Sequence, residues 1–415
     1  MLINYLKIAI KVLLRHKLFT FISLFGISLT LLILIMVTSL LDHTFGSQPP
    51  ELKLDRTLSI TMGLLTSKDG GQSNGPVMSP YFLKKYVKSL KTPEVVSMSS
   101  FHNRVITYKN RTKFRLDIKY TDSEFFEILD FNFLEGNPYS LNDVSSRRNV
   151  IVINQNTREQ YFDGEEAIGN TMEVEGEKFR VGGVVENCSI LRIMPYADVW
   201  LPLTFSKTPL DEVTLIGGFP GWFAMMLATD ESDIPAIKKE FQNQLALVEY
   251  PDDKWVEIKT AASTYAEAFS RNLRLSEEGN AKPLLIILFI LMILFMLLPT
   301  INLVNINLSR IMERSSEIGV RKAFGASSLT LVGQFVVENV IITLIGGAIA
   351  LILAIGILEI INSSSLIPYV NFSLNYRIFF NSLVICLFFG LFSGVYPAFK
   401  MSRLQPVDAL RGESS

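Results

Sequence analysis

From Leu18 to Leu41 the chain carries no charged side chain. A helix rises about 1.5 Å per residue, so this run of about 24 positions can cross a ~30 Å hydrocarbon core. Basic residues precede it, as in a signal peptide. The stretch is longer than a signal h-region, however, and no small-residue cleavage site follows, so it is expected to stay as an anchor. Pro283 to Ser309 and Ile378 to Phe399 are also free of charge, and Leu329 to Leu358 contains only Glu338. Four transmembrane helices are therefore expected, at 18–41, 283–309, 329–358 and 378–399. Glu338 lies two or three turns into its span on the side of the basic loop Arg310 to Lys322, near the interface, where a charge costs less than at the bilayer centre. Arg310 and Arg314 are its candidate partners.

Orientation follows from lysine and arginine in the short flanks. Lys7, Lys11, Arg15 and Lys17 precede the first span; Arg310, Arg314, Arg321 and Lys322 lie between the second and third; Lys400, Arg403 and Arg411 follow the fourth. Both termini, 1–17 and 400–415, are then cytosolic, as is the loop 310–328. The short loop 359–377 and the long segment 42–282 fall outside. In the first segment Lys7, Lys11 and Arg15 recur at helical spacing on an apolar body, the pattern of an amphipathic helix along the inner interface or of a long first helix with snorkelling lysines.

Charge and composition exclude several functions. Lys+Arg number 39 against Asp+Glu 40, so no excess of positive charge points to nucleic acid. Cys188 and Cys386 cannot make a CxxC site, and His16, His43 and His102 have no metal-ligand spacing. No nucleophile, metal or acid/base constellation is legible, so the chain reads as non-catalytic, with no cofactor of its own.

The outside segment of about 240 residues is too long for a loop and carries regular turn and cap signals. Strand-like runs occur at Thr57 to Thr61, Arg104 to Tyr108, Phe114 to Tyr120, Val150 to Ile153, Thr171 to Val174, Phe179 to Val185 and Ala224 to Ala228. Helix signals alternate with them: Ser79-Pro80 before Tyr81 to Leu90, Asn154 before Gln155 to Phe162, and Asp233 before Ile234 to Leu245. The fold class is thus an α-helical membrane protein with a large extracytoplasmic α+β domain, in which Ala261 to Leu275 leads as a helical stalk into the second span. Ser67 to Pro76 reads as a mobile loop.

Gly164 to Thr171 fits the frame of a phosphate loop, but Asn170 stands where the phosphate-binding lysine belongs, and Glu165 and Glu166 would repel a triphosphate. It is expected to be a turn between helix and strand. Cys188 is read as a small buried hydrophobe. The cytosolic loop is more informative. In Glu313 to Ser327, Ile318, Val320, Ala323 and Phe324 make a small apolar face flanked by Glu317, Arg321 and Lys322, and Gly325 is a C-cap. So short an amphipathic helix between two spans suits docking to a soluble partner.

The segment ERSSEIGVRKAFGAS (Glu313 to Ser327) resembles the coupling segment of the MacB/FtsX superfamily of ABC transporter permeases. Glu338, Gly346-Gly347, Tyr396-Pro397-Ala398 and Pro406 to Arg411 match that family's later signatures. Phe125-Phe126, Leu134-Glu135-Gly136, Phe162-Asp163-Gly164, Ala167-Ile168-Gly169 and Val181 to Val185 resemble its periplasmic core domain. The resemblance implies a porter-like domain with an inserted subdomain at about 121–205. It also implies an ATPase-coupling site of Glu313, Glu317, Ile318, Gly319, Val320, Arg321, Lys322, Ala323, Phe324 and Gly325. The implied partners are a separate cytosolic ABC ATPase subunit that binds the ATP, a second permease in a dimer and, on the efflux reading, a membrane-fusion adaptor and an outer-membrane channel. The implied setting is the bacterial cytoplasmic membrane, and the implied function is mechanotransmission, which couples ATP hydrolysis by the ATPase subunit to movements of the extracytoplasmic domain for efflux or export of an envelope substrate. The alternative is a regulatory anchor that activates an envelope hydrolase or signalling partner without transport.

Overall fold

The computed structural model describes residues 15, 17–72, 77–217, 219–251, 253–272, 281–291, 293–294, 320, 324, 327–364, 367–372, 374, 376–377, 379–381, 383–384, 387–388 and 391. It divides into two compact units: Met1–Asp42 with Ile286–Ser364 and Phe372–Ser415, and His43–Leu285 with Ser365–Asn371.

In the first unit, a helix runs over Lys17–Phe45 and another over Ser328–Ser363. Among the described residues, Thr20–Phe45 and Val336–Ser363 are long and apolar enough to cross a membrane, and Lys282–Leu291 is a shorter apolar helix. Most of the expected second span, much of the fourth and nearly all of the first 17 residues lie outside the described residues. The two long helices pack through Ile27, Leu31, Ile342 and Ala350. Gly346 permits this approach, because a Cβ there would stand 2.6 Å from Ile27 Cγ2. Small residues at such crossings let backbones come close where hydrophobic burial gives no driving force between helices. Ser28 and Thr30 satisfy their hydroxyls within their own helix, on Leu24 O at 2.7 Å and Gly26 O at 2.7 Å.

The second unit is built on strands β1 (Thr57–Ile60), β2 (Leu64–Ser67), β3 (Val95–Ser100), β4 (Asn103–Lys109), β5 (Thr112–Thr121), β6 (Phe133–Gly136), β7 (Val150–Asn154), β8 (Thr171–Val174), β9 (Glu177–Val185), β10 (Val199–Pro202), β11 (Trp222–Leu227) and β12 (Trp255–Lys259). Ten of these form one sheet in the order β1-β11-β3-β5-β10-β7-β9-β6, with β4 beside β5 and β8 beside β9; β12 and β2 pair separately. Most pairs are antiparallel, but β5–β10 and β7–β9 are parallel. The strands between 121 and 205 therefore continue the same sheet as those outside it.

Both faces of this sheet are covered. Ile151, Ile153, Val199, Leu201, Ala224 and Met226 point into one core, and their neighbours Val150, Val152, Trp200, Phe223 and Met225 into another. Successive side chains on a strand alternate sides, so central strands enclosed on both faces read as continuous apolar runs, as VIVIN and WFAMML do.

Helices form where their caps direct. Asn154 Oδ1 accepts from Thr157 N at 2.7 Å and starts the helix Gln155–Tyr161. Ile234–Leu245 buries Ile237 and Phe241 on one face. The helix expected from Tyr81 to Leu90 is different: Ser79 caps one α-turn at Pro80–Phe82, and the chain widens into a π-helical turn, Leu83–Val87. The expected stalk is helical over Tyr265–Asn272. The rings of Tyr265 and Phe269 meet Phe45 edge-on, at 5.8 and 5.1 Å. Of the segment expected to be a mobile loop, the described part closes as a turn, with Gly71 O accepting from Ser67 N at 2.8 Å; 73–76 lie outside the described residues.

Candidate functional site

Of the ten residues expected to couple to an ATPase, Val320 and Phe324 are described; Glu313, Glu317, Ile318, Gly319, Arg321, Lys322, Ala323 and Gly325 lie outside the described residues. Phe324 N–H donates to Val320 C=O at 3.1 Å, the spacing of one helical turn. Val320 is 46% exposed and Phe324 89%. A phenyl ring left this open has its apolar surface available to another surface.

Glu338 is 1% exposed, so protein surrounds it, where the sequence placed it by depth alone. Asn339 and Thr343 on the same helix, and Ser23 and Ser28 on the first, are also buried. Glu338 has an interaction partner among its neighbours.

The large domain carries a cluster of buried charge at Asn187 to Asp198, the connection between β9 and β10. Arg192 Nη1 pairs with Glu51 at 2.7 Å, the two side chains being 2% and 3% exposed, and its Nη2 donates to Gly46 O at 2.7 Å. Burial pushes the Glu51 carboxyl up, against the pull of Arg192. Lys119, on β5, is wholly buried. Its Nζ donates to Ile193 O at 3.0 Å and to Met194 O, and lies 5.2 Å from the centre of the Phe223 ring. Burial brings its pKa down to about 7, opposed by Cys188 and Glu51. Two backbone carbonyls thus receive the N–H groups of this buried amine.

Asp117 stands two residues earlier on the same face. Arg104 grips it with Nε at 2.9 Å and Nη2 at 3.0 Å, and Tyr196 Oη donates at 2.8 Å. Burial opposes its ionisation, but these hydrogen bonds outweigh burial and hold the carboxyl below its usual range.

None of these residues was singled out from sequence. Glu51 and Arg192 are 141 positions apart, and no local pattern links them. The one signal was on β5, where Asp117 and Lys119 alternate with Leu116, Ile118 and Tyr120. That alternation suggests a wet second face, which the core around Phe125, Trp200 and Phe223 covers.

Two features behave as the sequence suggested. Cys188 is buried, and burial pushes its thiol up, away from nucleophilic use. The run Gly164 to Thr171 is the turn leading into β8, with Gly164 at φ +78 and Gly169 at φ +82. Among the described residues no group of three or more His, Cys, Asp or Glu side chains is placed to hold a metal ion.

Residues 20–244 match the family model of the MacB-like periplasmic core domain, and residues 289–406 that of the FtsX-like permease C-terminal region. An uncharacterized ABC transporter permease, YvrN of Bacillus subtilis (strain 168), is 24% identical, covering 99% of this chain and 100% of that protein. The macrolide export ATP-binding/permease protein MacB of Hahella chejuensis is 22% identical over 96% of this chain. The chain spans 58% of that relative's length. Among solved structures, the periplasmic region of MacB from Actinobacillus actinomycetemcomitans aligns over 53% of this chain and 94% of that one, with 15% identity and a TM-score of 0.37. The two family models between them take in both the membrane helices and the domain they carry, and the chain belongs to the MacB/FtsX superfamily of ABC transporter permeases.

Proposed function

We propose that this permease is the mechanical subunit of an ABC complex: it docks a separate ATPase through Glu313 to Gly325 and delivers the resulting movement to the domain His43–Leu285, which acts on an envelope substrate. The complex works as a permease dimer, and ATP is bound by the partner chain.

The observation that carries this reading is the pair Val320 and Phe324, one turn apart and exposed at 46% and 89%. Aromatic anchors surrounded by charge are the usual centre of a docking surface, and Glu317, Arg321 and Lys322 supply charge for orientation. Delivery of work outside the membrane is supported by the two described spans, whose acidic residues are Asp42 and Glu359 towards their C-terminal ends and the buried Glu338. A polar route through a bilayer calls for ionisable residues from several helices. The outer domain has a packed core on each side of its sheet, as a unit that moves as a body requires.

The full-length permease, purified with the ATPase that accompanies it, tests the proposal. Val320→Asp with Phe324→Asp should insert normally yet lose at least tenfold in ATPase capture. Gly319→Pro, or Glu317→Lys with Arg321→Glu, should abolish stimulation of ATP hydrolysis while leaving the permease inserted. Undiminished capture and stimulation in these variants would exclude the docking role. The proteins that accompany the outer domain, whether an adaptor with an outer-membrane channel or an envelope hydrolase, separate export from regulation.

A further inference from the structure

Between the helix Ser328–Ser363 and the apolar residues from Phe372 onward, the chain leaves the membrane unit, and Ser365–Asn371 belong to the same compact unit as His43–Leu285. Attachment concentrates on Tyr369. Its hydroxyl donates to Asp198 Oδ1 at 2.6 Å and accepts from Asn156 Nδ2 at 2.9 Å, and its ring lies 6.2 Å from that of Tyr196. Ile190 N–H donates to Pro368 C=O at 3.2 Å, and the Val370 side chain is buried. Tyr369 sits at φ +55, in the left-handed region that L side chains rarely adopt. Such a conformation persists only where surrounding contacts impose it, and it is found disproportionately at functional clamps.

The receiving side is built without this tyrosine. Asp198 Oδ1 also accepts from Asn154 Nδ2 at 2.9 Å, and Oδ2 from Asp117 N at 2.8 Å. Asp198 immediately precedes β10, Asp117 lies on β5, and Asn154 closes β7, so Tyr369 lands where three adjacent central strands converge. The same connection, Asn187 to Asp198, holds Gly46 and Glu51 through Arg192, just beyond the first apolar helix.

We propose that Tyr369 and Asp198 form a coupling clasp, through which movement of the helix Ser328–Ser363 and of the chain beyond Phe372 reaches the centre of the β-sheet. It acts in addition to the two covalent leads at Phe45 and Leu285. The inference rests on the mechanical reading above and names a transmitting contact within it. The contact is suited to transmission because it is polar, small and separable: releasing Tyr369 leaves Asp198 with two donors and opens neither core of the sheet. Tyr369 is a positioning residue in this scheme, since it touches no substrate.

Hydrogen exchange on the full-length chain in nanodiscs tests it, with Tyr369→Phe removing only the hydroxyl. Exchange at the Ile190 amide and across 367–371 should quicken about tenfold, the effect of one lost hydrogen bond to a charged group, while β7 amides stay unchanged. In the complex with its ATPase, a non-hydrolysable ATP analogue should alter protection in both 367–371 and 187–198 of the wild type. In Tyr369→Phe it should alter only the first. Unchanged exchange at Ile190 and 367–371 in the resting variant, or a full nucleotide response at 187–198 despite it, overturns the clasp alone. No nucleotide response anywhere in the wild type, with the ATPase bound, overturns the mechanical reading and with it the clasp's part in coupling.

Discussion

Lys119 shows how strongly one side chain can tie stability to pH in this domain. Its folded-state pKa is lowered to about 7 by burial, so above that pH the unfolded chain holds a proton that the folded chain has released. Stability then rises with pH between about 7 and the ordinary lysine value near 10.4, and the cost of burying the amine is full below pH 7. The gain from pH 7 to pH 9 should be about 2 kcal/mol, read as a rise in melting temperature, and Lys119→Met should flatten it. A slope that survives in Lys119→Met would assign it to another group. The neighbouring pair behaves differently. Arg192→Met leaves the Glu51 carboxyl buried without its partner and is expected to cost ~3–5 kcal/mol. Glu51→Leu combined with Arg192→Met should recover a large part of that in denaturant melts, because both charges are then gone.

Packing of the apolar helices makes its own prediction. Gly346→Leu would drive a side chain into Ile27 and separate Lys17–Phe45 from Ser328–Ser363, so cross-linking of cysteines introduced along the Leu31–Ala350 contact should fall severalfold. Gly356→Leu, which meets nothing nearby, should leave it intact. The Gly346-Gly347 pair was visible in the sequence, as were β1, β4, β5, β7, β8, β9 and β11, whereas β2 and β12, which pair with each other across about 190 residues, were not. β3 was not, since VVSMSS offers three serines: Ser97 Oγ donates to Asp122 at 2.7 Å, and Ser100 Oγ accepts from Tyr120 N at 2.9 Å. β10 was hidden by its brevity and its proline, and β6 by the glutamate and glycine in FLEG. Those strands exist because neighbours complete their ladders, a tertiary effect that overrides local propensity. The pattern of Glu313 to Ser327 is local and so can be read from sequence, whereas the charged cluster around Arg192 depends on chain crossings no spacing records.

At the scale of the molecule, topology and autonomy are the properties to measure. With Cys188 and Cys386 replaced by alanine, Asp69→Cys should react with an impermeant maleimide in intact cells and Ser327→Cys only after lysis. Reaction of both before lysis would exclude the orientation read from the lysine and arginine flanks. The segment 43–285, produced without the apolar helices, should be soluble and unfold cooperatively, since both cores of the sheet lie within it. A fragment without a cooperative transition would show that the sheet depends on the membrane unit.

That fragment would nevertheless be unfinished, because one piece of the domain is encoded after it. During synthesis the sheet can close once Leu285 has emerged, but Ile367 to Asn371 follow more than 80 residues later, behind the helix Ser328–Ser363. Domains fold as units while the chain is still being made, so Tyr369 joins an Asp198 site whose other two donors come from strands already synthesised. Docking of this tyrosine therefore comes only after the helix Ser328–Ser363 has been made. The polar partner that completes the Asp198 site is thus among the last residues of the domain to be made, after the second long helix.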